Sequence, residues 1–135
     1  MAKTIKTMTM FDAKWADGYS VVFPCKDMDD VTIATSGVWW TTTMSFYFQG
    51  AIAMTNGWDT PTFSSAQSAT NHRDYIQAVD LQDWANKPGD TGVTLAAASY
   101  NLYEINVTHL DYISIYLDRT AGAFSAVARG SVQWD

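Results

Sequence analysis

From Tyr100 to Trp134 the chain keeps one pattern for more than thirty residues, with apolar side chains returning at every second position. A period of two is what an extended backbone produces, because successive side chains point to opposite faces. Tyr103, Ile105 and Val107 share one face, against Glu104, Asn106 and Thr108 on the other. Ile113, Ile115 and Leu117 then alternate with Tyr112, Ser114, Tyr116 and Asp118, and Phe124, Ala126, Ala128, Val132 and Trp134 share a parity against Ser125, Arg129, Ser131 and Gln133. Turn-like residues separate the three runs: His109-Leu110-Asp111, and Thr120-Ala121-Gly122, where glycine can take the positive φ of a tight hairpin. The reading is a three-stranded antiparallel meander with one oily face, and such a face needs a second sheet to cover it. An all-β, antiparallel β-sandwich is therefore the expected fold class.

A length of 135 residues fits one domain spanning 1–135, able to bury roughly two-thirds of the surface its unfolded chain exposes. Aromatic residues make up 14% of the chain and charged residues only 16%, which favours pleated strands over helices. Six tryptophans exceed what one small core can hold, so some are expected at an interface, where a large apolar area with a polar edge is useful. The candidates are Trp15, Trp39, Trp40, Trp58 and Trp134.

The net charge of -6, with no run of Lys or Arg, disfavours a nucleic-acid partner, which would require a basic track along the phosphates. A single cysteine, Cys25, allows neither an intrachain disulfide nor a thiolate metal cage, and reads as a small buried hydrophobe. The basic opening Met1-Ala2-Lys3-Thr4-Ile5-Lys6 has no apolar stretch behind it, and nothing elsewhere has the length of a membrane span. Synthesis and folding in the cytoplasm, with no membrane partner, is the expectation.

Along the chain, residues 1–18 read as an extended arm or edge strand ending at the turn signal Asp17-Gly18. Tyr19 to Phe23 is a short strand stopped by Pro24, which lacks the N–H a central ladder needs. Asp27-Met28-Asp29-Asp30 reads as an acidic loop, and Val31 to Ala34 as a short strand ended by Ser36-Gly37. A longer strand is expected over Val38 to Met54, with Met44, Phe46, Phe48 and Ile52 on one parity and Gly50 at a bulge or bend. Asn56-Gly57 is a turn signal, and 64–73 reads as a long surface loop. Tyr75 to Leu81 resumes a strand, and Lys87-Pro88-Gly89-Asp90 is the next turn.

No arrangement of reactive residues stands out, and an enzyme is not expected. The acidic triplet Asp27, Asp29, Asp30 lacks the glycine and terminal Glu of a calcium loop and reads as a solvated turn. His72 and His109 sit beside turn residues without the i,i+4 partner of a helical zinc site. No Gly-x-Ser-x-Gly elbow presents a serine nucleophile. Asp80, Asp83, Glu104 and Asp118 are available as a glycosidase pair, yet carboxylates on alternating strands are ordinary solvent-face residues. Asn106-Val107-Thr108 matches a glycosylation sequon inside an expected strand. Trp39, Trp40 and Trp58 offer flat faces on which a sugar could stack, but indoles are more often packed at buried contacts. No cofactor and no metal is expected.

The Thr/Ser-rich strand run, the aromatic segment Asn56-Gly57-Trp58-Asp59-Thr60, and the pair Tyr103-Glu104-Ile105-Asn106-Val107 and Ile113-Ser114-Ile115-Tyr116-Leu117 together resemble small virion proteins of tailed bacteriophages, over residues 31–134. That resemblance implies a β-sandwich or jelly-roll-like domain with an extended N-terminal arm, placed on the capsid exterior. It further implies a decoration (cement) protein whose partners are the major capsid protein and copies of itself, as a homotrimer. The alternative it leaves open is a carbohydrate- or receptor-binding module of the tail or fibre.

Overall fold

The three C-terminal runs bury the faces their alternation marks out as far as Ala128, with Val132 half-buried, but they do so from opposite sheets. A computed structural model describes residues 2–38, 44–53, 71–87, 89, 92–95, 99–119 and 122–134. In chain order its strands are β1 (Ala2–Lys14), β2 (Gly18–Tyr19), β3 (Phe23–Pro24), β4 (Met28–Val38), β5 (Met44–Ala53) and β6 (Asn71–Tyr75). The remainder are β7 (Ala78–Asp80), β8 (Asn86–Lys87), β9 (Val93–Leu95), β10 (Ser99–Asn106), β11 (Tyr112–Arg119) and β12 (Ala123–Trp134). One sheet, called A, runs β1-β12-β4-β10-β7-β8; the other, called B, runs β2-β11-β5-β6, with β3 also on β11 and β9 also on β5. Every pairing among the described residues is antiparallel. The architecture is an all-β sandwich of two antiparallel sheets.

The expected meander is therefore corrected. β10 and β12 lie in sheet A, each bonded to β4, while β11 lies in sheet B against β5. The link between β10 and β11 arches from one sheet to the other: Val107 N–H donates to Asp29 O in sheet A at 2.8 Å, and Asp111 N–H donates to Ala51 O in sheet B at 3.0 Å. Asn106 closes β10, and its Oδ1 accepts from the Thr108 N–H at 3.0 Å and from the Thr108 hydroxyl at 2.8 Å. The sequon thus forms an Asx turn instead of lying inside a strand. Gly122 does take positive φ, at 92°, although the strands on either side of it join different sheets.

Between the sheets, Phe46 is the meeting point. Its ring lies 5.5 Å from Phe48, 5.7 Å from Tyr103 and 4.8 Å from Phe124, and Phe124 in turn meets Phe11 at 5.7 Å, three of these four contacts being edge-to-face. Such geometry sets positive ring edges on negative faces and adds about 0.5–1.5 kcal/mol per pair to the area buried. Ile33, Ile105, Ile113, Ile115 and Leu117 complete one continuous cluster with them.

Other expectations shift in position. Residues 2–14 form an edge strand paired with β12 along its length, with register shifts between Thr9 and Phe11 and between Phe11 and Lys14. The first shift lets Met10 and Phe11 both be buried. The strand expected from Tyr19 to Phe23 is split into β2 and β3, and Pro24 sits on the edge of β11, opposite Tyr112. β4 begins at Met28, so Asp29 and Asp30 are strand residues, and it continues through Ser36-Gly37 to Val38. β5 keeps the inward parity of Met44, Phe46 and Phe48, but Ile52 is exposed. Gly50 pairs in register with Ile113 and makes no bulge; a Cβ there would lie 2.7 Å from Leu110 Cδ1, so the glycine permits close approach. The strand expected over Tyr75–Leu81 changes sheet midway, and Asn71 to Arg73, expected in a loop, belong to β6. The turn signal at Asn56-Gly57 and loop residues 64–70 lie outside the described residues.

Candidate functional site

Side chains that the core does not use collect on the two outer faces. On sheet A the register lines up rows across β10, β4 and β12: Tyr100, Ser36 and Ser125; then Leu102, Ala34 and Val127; then Glu104, Thr32 and Arg129. The first two rows, with Leu81 and Gln82 from the turn after β7, line an open groove of about 610 Å³. Tyr100 is 77% exposed and Leu102 49%. Small residues on β4 and β12 floor the groove, and the bulky pair on β10 forms its wall. Among the described residues neither Glu104 nor Arg129 has an ion-pair or side-chain hydrogen-bond partner. The cue in the sequence was that Tyr100 and Leu102 fall on the parity opposite Tyr103 and Ile105, making that end of β10 apolar on both faces.

Sheet B carries a different outer surface. Tyr116 on β11 lies directly opposite Tyr19 on β2 and Tyr47 on β5, and Tyr75 on β6 follows diagonally. Ring centroids are 4.8 Å apart for Tyr19–Tyr116, 6.2 Å for Tyr116–Tyr47 and 5.6 Å for Tyr47–Tyr75, so a row of four tyrosines crosses the sheet. Burial, then the carboxylates of Asp118 and Asp17, push the Tyr116 phenol upward. Beside this row Ser20 and Ser114 are buried with their hydroxyls 3.1 Å apart, and Ile115 N–H donates to Ser20 Oγ at 2.9 Å. Gln49, opposite Ser114, is buried with neither Oε1 nor Nε2 hydrogen-bonded. Cross-strand aromatic pairs of this kind stabilise a sheet by stacking on one another. These four tyrosines were readable only as outward-parity residues of separate strands, because the pairing that gathers them is non-local.

Of the tryptophans singled out in the sequence, the described residues include two, Trp15 and Trp134. Trp15 follows β1 and is exposed. Trp134 ends β12, its backbone opposite Ala2. Trp39, Trp40 and Trp58 lie outside the described residues. Trp84, not singled out, is 70% exposed and sits at positive φ, 60°, in the turn joining β7 to β8.

Nor do the carboxylates meet around one cleft. Glu104 is on the outer face of sheet A, whereas Asp118 is on β11 in sheet B. Asp80 and Asp83 instead shape the β7–β8 turn, accepting from Gln82 N–H and Ala85 N–H at 2.9 Å each. Asp27, Asp29 and Asp30 border a hollow with Ser131, and among the described residues no group of three or more His, Cys, Asp or Glu has the placement to hold a metal ion. The Cys25 thiol is buried and pushed up from 9.0 to about 12 by desolvation, with Asp111 adding to it; a thiol so held is a poor nucleophile. No helix among the described residues is long and apolar enough to cross a membrane.

No protein-family model matches the sequence, and no curated protein matches it. Among solved structures, the fold is similar to that of the SPBc2 prophage-derived protein YomS, with a TM-score of 0.66 at 11% identity, covering 97% of this chain and 96% of that one. It is equally similar to the PBSX exported protein XepA, with a TM-score of 0.66 at 11% identity, covering 97% of this chain but 39% of that one. At this identity the likeness is one of fold.

Proposed function

We propose that this chain is a non-enzymatic structural protein of a phage particle, and specifically a capsid decoration protein that works by burying surface against the major capsid protein and against copies of itself. The observation that carries the reading is the apolar outer face of sheet A, with Tyr100 and Leu102 standing in solvent beside an open groove. Apolar patches of this kind on a small soluble domain mark association sites. The fold adds support, because the prophage-derived protein YomS and the PBSX exported protein XepA share it. Cosedimentation with undecorated capsids tests the proposal, together with copy number per particle by quantitative mass spectrometry. Hundreds of copies per particle and saturable capsid binding are expected; a few copies, or no binding, would overturn it.

A second reading has one specific observation in its favour. The tyrosine row of sheet B, flanked by Asp17 and Asp118, combines aromatic surface with carboxylate acceptors, the pairing that recognises sugar rings and their hydroxyls. A tail- or fibre-borne receptor-binding module would use that face. Retention on a glycan column, lost in Tyr116→Ala, together with failure to bind capsids, would decide for it.

A further inference from the structure

We propose that the outer face of sheet A is a twofold self-association surface, on which a second copy of this chain seats its own sheet A face to face, with the dyad running along β4. Two features of the register point to that occupant. The first is charge. Glu104 on β10 and Arg129 on β12 both pair with Thr32 on β4, so they flank the central strand at the same height and on the same outer face. They stand two strand spacings apart, about 9.6 Å, and project side by side from the same face, with no ion pair between them in the structure.

A dyad lying between two stacked sheets and parallel to β4 exchanges β10 with β12 while preserving height along the strands. It therefore sets Glu104 of one copy over Arg129 of the other and, by the same operation, Arg129 over Glu104. The two charges left unpartnered in one chain become two reciprocal ion pairs in the dimer, across a sheet separation of about 10 Å that an arginine and a glutamate span together.

The second feature is size. The same operation places bulky Tyr100 over small Ser125 and Leu102 over Val127, while Ala34 faces its own copy. The wall of each groove thus enters the low side of the other, which is the self-complementarity an isologous contact requires. The three long strands that the dyad maps onto β12, β4 and β10 of the copy, over an eight-residue ladder, give a flat area on the order of 400 Å². Side-chain relief raises the accessible area toward the ~800 Å² per partner of a stable interface. The symmetry is that of a dimer, whereas the resemblance to virion proteins implied a trimer. The inference does not rest on the capsid reading and is decided on purified protein with no capsid present.

The test is a charge swap read by size-exclusion chromatography with light scattering and by sedimentation equilibrium. The wild-type protein is expected at twice the 15.0 kDa chain mass. Glu104→Arg alone and Arg129→Glu alone set like charges opposite each other and should each weaken the dimer by at least about tenfold. The double variant, Glu104→Arg with Arg129→Glu, exchanges the charges and should restore the dimer to within about threefold of wild type. Far-UV circular dichroism on all three variants separates loss of association from loss of fold. A wild-type monomer at every concentration, a trimer, single variants that dimerise normally, or a double variant that is not rescued would each overturn the proposal.

Discussion

Among the described residues the outer face of sheet B gathers four tyrosines and that of sheet A carries one, Tyr100, and the two faces put their apolar surface to opposite use. On sheet B, Tyr19, Tyr116, Tyr47 and Tyr75 stack on one another across the strands, so each ring covers part of its neighbour and the face closes on itself. On sheet A, Tyr100 has no aromatic ring contact among the described residues and Leu102 stands beside a groove. The first arrangement stabilises the chain that carries it. The second leaves its apolar area exposed, and on the proposal that another molecule covers it, substitutions on the two faces should separate into effects on folding and effects on association.

That contrast presumes that both sheets rest on one core, and the largest expected effect examines the presumption. Burial, with Asp111 adding, raises the Cys25 thiol from 9.0 to about 12, and burial, with Asp80 and then Asp83 adding, raises the Tyr103 phenol from 10.0 to about 12. Both groups are neutral when protonated, so a raised folded pKa means that the unfolded chain loses its proton first. Their contribution is intact below pH 9 and is lost as pH climbs from 9 to 12. At 1.36 kcal/mol per unit, this amounts to at most about 4 kcal/mol for the thiol and about 3 kcal/mol for the phenol. Denaturant melts across that range should show near-constant stability to pH 9 and then a cooperative decline, with signals from both sheets lost together. Tyr103→Phe should flatten the decline above pH 10. If sheet B unfolds at a lower pH than sheet A, the single-core premise is wrong.

Next in size is a substitution that acts on sheet B alone. Gly92 holds φ at +66°, and a Cβ there would sit 2.6 Å from two ring carbons of Tyr47 and 2.8 Å from Phe46 O. Gly92→Ala combines left-handed strain with displacement of a ring in the tyrosine row, for a loss of roughly 2–4 kcal/mol. A change below about 0.5 kcal/mol in urea denaturation would mean that the row yields freely and does not brace the sheet.

How much of this was legible in the sequence depends on whether the signal was local. The burial of Tyr103 and Ile105, of Ile113, Ile115 and Leu117, and of Phe124, Ala126 and Ala128 follows from alternation along each strand, which sterics impose residue by residue. Which strands pair does not. A short turn such as 107–111 can close a hairpin in one sheet or arch between two, and nothing in His109-Leu110-Asp111 distinguishes the cases. The contacts that do, to Asp29 and Ala51, come from residues roughly sixty to eighty positions away. The candidate surfaces were hidden for the same reason: Glu104 and Arg129 become partners in a row, and four tyrosines become neighbours, only once register is known.

Tyr116→Ala should have a smaller effect than the glycine change, because it removes the central ring of the row without straining the backbone. Loss of its contacts to Tyr19 and Tyr47 should lower stability by about 1–2 kcal/mol, with association unaltered. Tyr116→Phe retains the stacking and should recover most of that. A dimer weakened by Tyr116→Ala would blur the division of labour between the faces.

The smallest expected change in stability is the most informative. Tyr100 is 77% exposed, so Tyr100→Ser removes little area that folding buries, and at dilution the stability of the chain should move by no more than about 0.5 kcal/mol. Association should respond very differently, because the same ring is the largest apolar group on the outer face of sheet A. Ligation to a second copy stabilises the folded state by mass action, so the wild-type Tm should rise with protein concentration. In Tyr100→Ser that dependence should vanish while the dilute-limit Tm stays where it was. A variant that loses about 2 kcal/mol even when monomeric would show that Tyr100 braces its own sheet, as the tyrosines brace sheet B. In that event the two outer faces would be doing the same job, and the surface for partners would have to be sought elsewhere on the molecule.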